Sequence, residues 1–129
     1  MALVYLVVAL ALLQFIVFGM AVGWARGKFG VKAPATTGNE VFERYFRVQM
    51  NTLEQLVVFV PAILLFATLD SPRWAAILGA VWLVGRVIFF YSYTRNPASR
   101  GLGFILTQLP SIIMVIAVLV AVVRGLFAA

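Results

Sequence analysis

Arg44, Arg47, Asn51 and Glu54 follow one another at intervals of three, four and three residues. On an α-helix that spacing gathers them into an arc of roughly 80°, along about 15 Å of axis. Two guanidiniums, an amide and a carboxylate on one stripe have a definite chemistry. The planar fork of arginine matches a carboxylate bidentately, and a glutamate takes an ammonium. Downstream and upstream lie Arg86, Tyr93, Arg100, Arg26 and Gln49. Arginine outnumbers carboxylate in this set, so the cluster asks for an anion from outside the chain. The inferred ligand is a small zwitterion with at least one carboxylate and one amine.

Simpler readings exist for single members. Arg44 and Arg26 could reach lipid headgroups by snorkelling, and Tyr93 could belong to an interfacial aromatic belt. Glu54 and Arg86 lie deeper and could form an ion pair of purely structural use. That pair leaves Arg47, Asn51 and Arg100 without an explanation.

The segments that carry these residues are apolar. The chain has 129 residues, of which 64% are hydrophobic and 11% charged, against about 25% charged in a soluble domain. Mean hydropathy is +1.08. The composition is that of an integral membrane protein. The net charge of +6 reads as topology and anionic lipid, because the basic residues cluster near span ends. No nucleic-acid partner is expected. Cysteine and histidine are absent. A disulfide, a cysteine nucleophile and an imidazole base are therefore excluded, and no metal site is expected.

Four spans are expected, at about residues 2–25, 40–68, 72–94 and 97–123. The first is uncharged and too long for a cleaved leader; its one strongly polar side chain, Gln14, suits an interhelical hydrogen bond. Residues 26–38 read as a basic loop. Thr37 with Glu40 has capping-box spacing, and Asn39 is a second possible cap. Pro61 lies within the second span. Ser71-Pro72 starts the third, which makes spans two and three an antiparallel hairpin. Asn96 and Pro97 are expected to cap and open the fourth, where Gly101 and Gly103 suggest close helix approach and Pro110 a kink. Basic residues concentrate on the side of the first and third loops. The positive-inside rule puts those loops in the cytoplasm and both termini outside. The fold class is all-α: a membrane four-helix bundle forming one domain over residues 1–129.

The run ERYFRVQMNTLE, Glu43 to Glu54, resembles the signature of the MAPEG family, the membrane-associated proteins in eicosanoid and glutathione metabolism. Its Arg-x-x-x-Asn-x-x-Glu core is matched by Arg47, Asn51 and Glu54. Arg86, Tyr93 and Arg100 continue the match at intervals of seven, and the resemblance extends over the whole chain. It implies a four-helix bundle that assembles as a homotrimer, with glutathione as co-substrate bound between subunits. By that resemblance Arg26, Arg47, Gln49, Asn51, Glu54, Arg86, Tyr93 and Arg100 contact glutathione. Arg100 is then the catalytic cation that stabilises the thiolate. The implied activity is transfer of glutathione to an apolar electrophile, or reduction of a lipid hydroperoxide, inside a lipid environment. Three positions depart from the eicosanoid-forming members: Gly27 replaces an arginine, and Phe89 and Gln55 replace tyrosines. The proline of the second span also falls later than in mammalian members. Eicosanoid specificity is accordingly not expected.

Two other functions compete. A non-catalytic scaffold binding lipid or glutathione is the alternative within the family. A small four-helix exporter of cations would need a carboxylate in its first span, and there is none.

Overall fold

The computed structural model describes residues 1–128. It is helical throughout: α1 spans Ala2–Phe29, α2 Glu40–Leu69, α3 Pro72–Arg95 and α4 Gly101–Ala128, with a 3-10 turn at Pro97–Ser99 between the last two. All four α-helices are long and apolar enough to cross a membrane. Their outward faces carry exposed Leu12, Ile16, Val57, Leu65, Val84 and Leu119. Such a surface fits an integral, multi-pass membrane protein.

The helix starts follow local chemistry. Asn39 caps α2, its side chain accepting from the Phe42 N–H at 3.0 Å. Glu43 reaches back to accept from Gly38 N–H at 3.3 Å. The reciprocal arrangement thus uses Asn39 and Glu43, and the expected Thr37–Glu40 pairing does not form. Ser71 caps α3 by accepting from Trp74 N–H at 3.2 Å, with Pro72 at the first position.

Three helix ends depart from expectation, two of them for one reason. Arg26 and Lys28 are helical, and α1 closes only at Gly30, which takes the left-handed conformation (φ 70°). Arg124 likewise lies inside α4. A charge ends a membrane span but not a helix, since arginine and lysine are good helix formers. At the other end of α4, Asn96 accepts from Ala98 N–H and so caps the 3-10 turn instead of α4. Arg100 therefore stands at a junction, and its carbonyl accepts from the Phe104 N–H.

Packing is tightest along α3. Trp82 stacks on Phe59 of α2, with ring centroids 4.2 Å apart and planes 9° from parallel. Val4, Val7 and Ala11 of α1, Ile63 and Phe66 of α2, and Met114 of α4 close the same buried cluster. Gln14 makes the interhelical bond expected of it, donating to the Leu83 carbonyl at 3.0 Å. α3 and α4 meet backbone to backbone. A Cβ at Gly103 would lie 2.5 Å from the Phe89 nitrogen, and one at Gly85 would lie 3.0 Å from the Leu106 carbonyl carbon. Gly101, at the same helix start, has open space around it. Of the two glycines at that start, only Gly103 serves close approach.

The atom opposing Gly103 is main chain and cannot rotate away. Gly103→Ala is expected to cost about 1–3 kcal/mol by overpacking. Thermal unfolding in detergent measures this; an unchanged midpoint would show that α4 yields freely.

Candidate functional site

The stripe on α2 forms, and its four members do different things. Arg44 is tied to its own end of the bundle. It pairs with Glu40 at 3.1 Å and donates to the Thr94 and Arg95 carbonyls at 3.4 and 3.2 Å. These are the last carbonyls of α3, which lack helical partners, so Arg44 caps a neighbouring helix.

Arg47 and Glu54 are two helical turns apart and lean together, 3.5 Å between Nη1 and Oε1. Their side chains are 56% and 61% exposed. An ion pair this open contributes at most about 1 kcal/mol. It is easily opened, and both charges remain available to a ligand. Asn51 lies between them on the same face.

Arg86 does not pair with Glu54. It is fully buried and reaches from α3 between α2 and α4. Its Nη1 donates to Asn51 Oδ1 at 2.9 Å and Thr52 Oγ1 at 3.1 Å, and its Nη2 to Thr107 Oγ1 at 3.1 Å. Its guanidinium lies over the Phe89 ring at 4.4 Å and near Trp82 at 5.8 Å. Both threonines spend their own protons on backbone carbonyls, Thr52 on Val48 and Thr107 on Phe104. Their lone pairs are left for Arg86. The charge is thus held by neutral oxygens and aromatic faces. It approaches the stripe through Asn51, whose carbonyl it engages and whose NH2 it thereby turns outward.

The remaining expected members divide by position. Tyr93 stacks on Phe89 at 5.4 Å and lines a hollow of about 450 Å³ with Arg44, Arg47, Glu43, Thr37 and Pro97. Arg100 is exposed at the head of α4, with no side-chain hydrogen bond or ion pair among the described residues. Arg26 donates to the Ala35 carbonyl at 2.6 Å and covers the Phe42 ring at 4.8 Å. It folds the first loop onto α2. Gln49 lies about 160° round α2 from Arg47. Its amide abuts Gly19 of α1, where a Cβ would meet Nε2 at 2.8 Å. Arg47, Asn51 and Glu54 share one side of α2, joined by Tyr93 and, from behind, Arg86. Gln49 lies on the α1 side, and Arg26 lies on α1 itself.

The site contains members that residue spacing did not reveal. Thr52 and Thr107 hold Arg86, and Gln55 donates to Gln108 Oε1 at 2.8 Å across a groove of about 500 Å³ between α2 and α4. The signal was present in the polar residues Thr107 and Gln108, set in the otherwise apolar fourth span. Their pairing across helices was not readable from spacing within one helix.

Comparison with known proteins bears on the whole chain. The MAPEG family model matches residues 3–120. The chain belongs to the MAPEG family. An uncharacterized protein of Synechocystis sp. is 50% identical over 117 residues, covering 91% of this chain and 85% of its own. Microsomal glutathione S-transferase 2 of Homo sapiens is 36% identical over 87 residues, 67% of this chain and 59% of the human protein. Leukotriene C4 synthase of Bos taurus is 34% identical over 83 residues, 64% and 55% of the respective chains. The match thus spans less than two thirds of each of these two named MAPEG relatives.

The cradle around Arg86 can be tested in this MAPEG chain by stability. Lysine keeps the buried charge but loses the fork, while methionine removes the charge and fills the space. Arg86→Lys is expected to destabilise by roughly 1.5–3 kcal/mol, and by more than Arg86→Met, because an under-solvated charge remains buried. Thermal unfolding of the two variants in detergent gives the order; the reverse order would show that the charge is not held by these oxygens.

Proposed function

We propose that the protein is a glutathione-dependent membrane transferase or peroxidase acting on apolar electrophiles or lipid hydroperoxides. The observation that carries this reading is the open Arg47–Glu54 pair beside an Asn51 whose amide is pinned from behind by Arg86. Membership of the MAPEG family and the glutathione transferase among its relatives support it.

Glutathione carries two carboxylates, one ammonium and one thiol. Its zwitterionic end inserts into the Arg47–Glu54 pair, exchanging one weak ion pair for two. A carboxylate takes the Arg47 guanidinium and the ammonium takes Glu54. Asn51 offers its outward NH2. Arg86 positions Asn51 and does not itself need to reach the ligand. Tyr93 closes the hollow next to Arg47. The thiol lies towards Arg100, whose unpaired cation favours thiolate over thiol. The thiolate sulfur then attacks the electrophilic carbon, the new C–S bond forms, and the leaving group departs with the displaced electron pair. The apolar substrate lies in the groove between α2 and α4, which Asn51 and Glu54 also line.

Gln49 and Arg26 lie away from this side of α2. One copy of the chain cannot enclose a single ligand with all eight candidate residues. They suit a site completed by a second copy, whose α1 side faces the stripe, in keeping with a homotrimer. The basic first loop and the third loop face the cytoplasm in this reading, and both termini lie outside.

Conjugation of glutathione to chlorodinitrobenzene by the purified protein is the primary test. Arg100→Ala is expected to lower kcat by at least about tenfold with little change in KM for glutathione. Glu54→Ala is expected to act the other way round, raising KM for glutathione by about tenfold with a smaller effect on kcat. Absence of activity across electrophiles and hydroperoxides would reject the enzyme. Calorimetry with glutathione then separates a binding scaffold from a protein with no affinity for it.

A further inference from the structure

Between α1 and α3 the bundle carries a groove of about 600 Å³. α1 and α4 each pack on both α2 and α3, so this groove lies on the opposite side of the bundle from the α2–α4 groove. Leu13, Val17 and Phe18 of α1 form one wall, and Val84, Val87 and Tyr91 of α3 the other. Gln14 and Tyr91 are the polar side chains on its lining, and Gln14 donates to the Leu83 carbonyl. The two walls are equal runs, each about 12 Å along its helix. A further, largely apolar hollow shares Leu10 and Leu83 and extends the furrow to Pro72. A single hydrocarbon chain lying along the helices fits this shape.

One end of the groove is charged. The helical period carries the α1 wall from Val17 to Trp24 and Lys28, and the α3 wall from Tyr91 to Arg95. Lys28 Nζ lies 4.9 Å from the centre of the Trp24 ring, and the Arg95 guanidinium 5.5 Å from that of Tyr91. Between them Trp24 meets Tyr45 at 5.8 Å, Tyr45 meets Phe90 at 5.7 Å, and Phe90 meets Tyr91 at 5.3 Å. An unbroken row of aromatic rings thus joins the two cations across the head of the groove. Just beneath, Phe18 stacks on Phe90 at 4.9 Å. Above that stack Trp24 and Arg95 stand about 9 and 8 Å along their helices. Lys28 folds back over Trp24, so both cations sit at a similar depth. Both residues are exposed, and among the described residues neither side chain forms an ion pair or a hydrogen bond. Interfacial aromatics alone anchor a helix to the membrane surface. They do not require a free cation on each wall of a groove at one depth.

We propose that the α1–α3 groove seats one acyl chain of an anionic phospholipid, with its phosphate held between Lys28 and Arg95. The chain covers apolar side chains that a membrane otherwise covers with unselected lipid. The headgroup then meets two cations that lack partners within the protein. A zwitterionic phospholipid brings its own ammonium, which offsets part of that attraction. The site therefore discriminates by headgroup charge, while the groove fixes where the selected lipid lies. It stands apart from Arg47, Asn51 and Glu54, and its test needs no glutathione.

Trp24 is the reporter. It is 54% exposed, Trp82 is fully buried, and Trp74 at the other end of the bundle is replaced by Trp74→Phe. The protein is reconstituted in phosphatidylcholine vesicles containing a small share of brominated phosphatidylglycerol or of brominated phosphatidylcholine, and quenching of Trp24 is measured. The anionic lipid is expected to quench at about tenfold lower content than the zwitterionic one. Lys28→Gln and Arg95→Gln are each expected to lower that preference about threefold, and together to abolish it. Lys32→Gln removes a charge from the neighbouring loop and is expected to leave it unchanged. Val87→Phe fills the groove from a residue that is 43% exposed, and is expected to weaken quenching by both lipids and to erase the preference. Equal quenching by the two lipids overturns the proposal. So does a loss in Lys32→Gln as large as that in Lys28→Gln, which would make the preference a matter of net charge. Unchanged quenching in Val87→Phe overturns it as well, since the groove would then hold no chain.

Discussion

A guanidinium buried among three helices without a carboxylate is the constraint on which the rest of this bundle depends. An ion of that size is expensive to remove from water, and the chain offsets the cost with neutral oxygens from two helices and aromatic faces from Arg86's own. Those acceptors are directional. Thr52 and Thr107 must donate backwards to their own helices before they can accept, which fixes the rotation of α2 and α4 about their axes. The stacked Phe59 and Trp82 then fill the space below. The Arg86 Nε is already buried without a partner, so the loss of any of the three acceptors would add to an existing deficit.

From this arrangement the surface chemistry of α2 follows. Asn51 is the member of its stripe that touches the buried charge, and it carries that order outward to a face where Arg47 and Glu54 are loosely held. A rigid amide between two mobile, opposite charges is a good receptor for a zwitterion. It provides one fixed reference point and two charges that reorganise at little cost. The outer end of α2 is anchored separately, by Arg44 on the final carbonyls of α3. The arginines of the stripe differ in burial and partners, although their spacing alone makes them look equivalent.

Much of the fold was legible in residue types. Four apolar runs gave four helices. Ser71-Pro72 and Asn39 set helix starts by side-chain chemistry that is local to a few residues. Helix ends were less legible, because Arg26, Lys28 and Arg124 mark where lipid stops and not where hydrogen bonding stops. The candidate stripe was visible from its period. Its partners were not, since pairing depends on the rotation of one helix relative to another. An ion pair between Glu54 and Arg86 was the simpler alternative that spacing left open, because both are charged and deep. The structure gives Arg86 to neutral oxygens and leaves Glu54 to Arg47, which lies two turns away on the same helix. Gln49 followed the stripe in sequence yet points to α1, a consequence of two residues' rotation.

The contact of Gly103 with the Phe89 backbone divides the bundle mechanically. α3 and α4 meet along bare main chain at Gly103 and Gly85. α2 and α4 are separated by a groove that side chains alone define. Substitutions on the groove wall can therefore change what fits without changing how the helices are spaced. Changes at Val58, Ile112 or Val115 would reshape the groove while leaving the α3–α4 contact as it is. The arrangement lets the groove change shape at constant architecture.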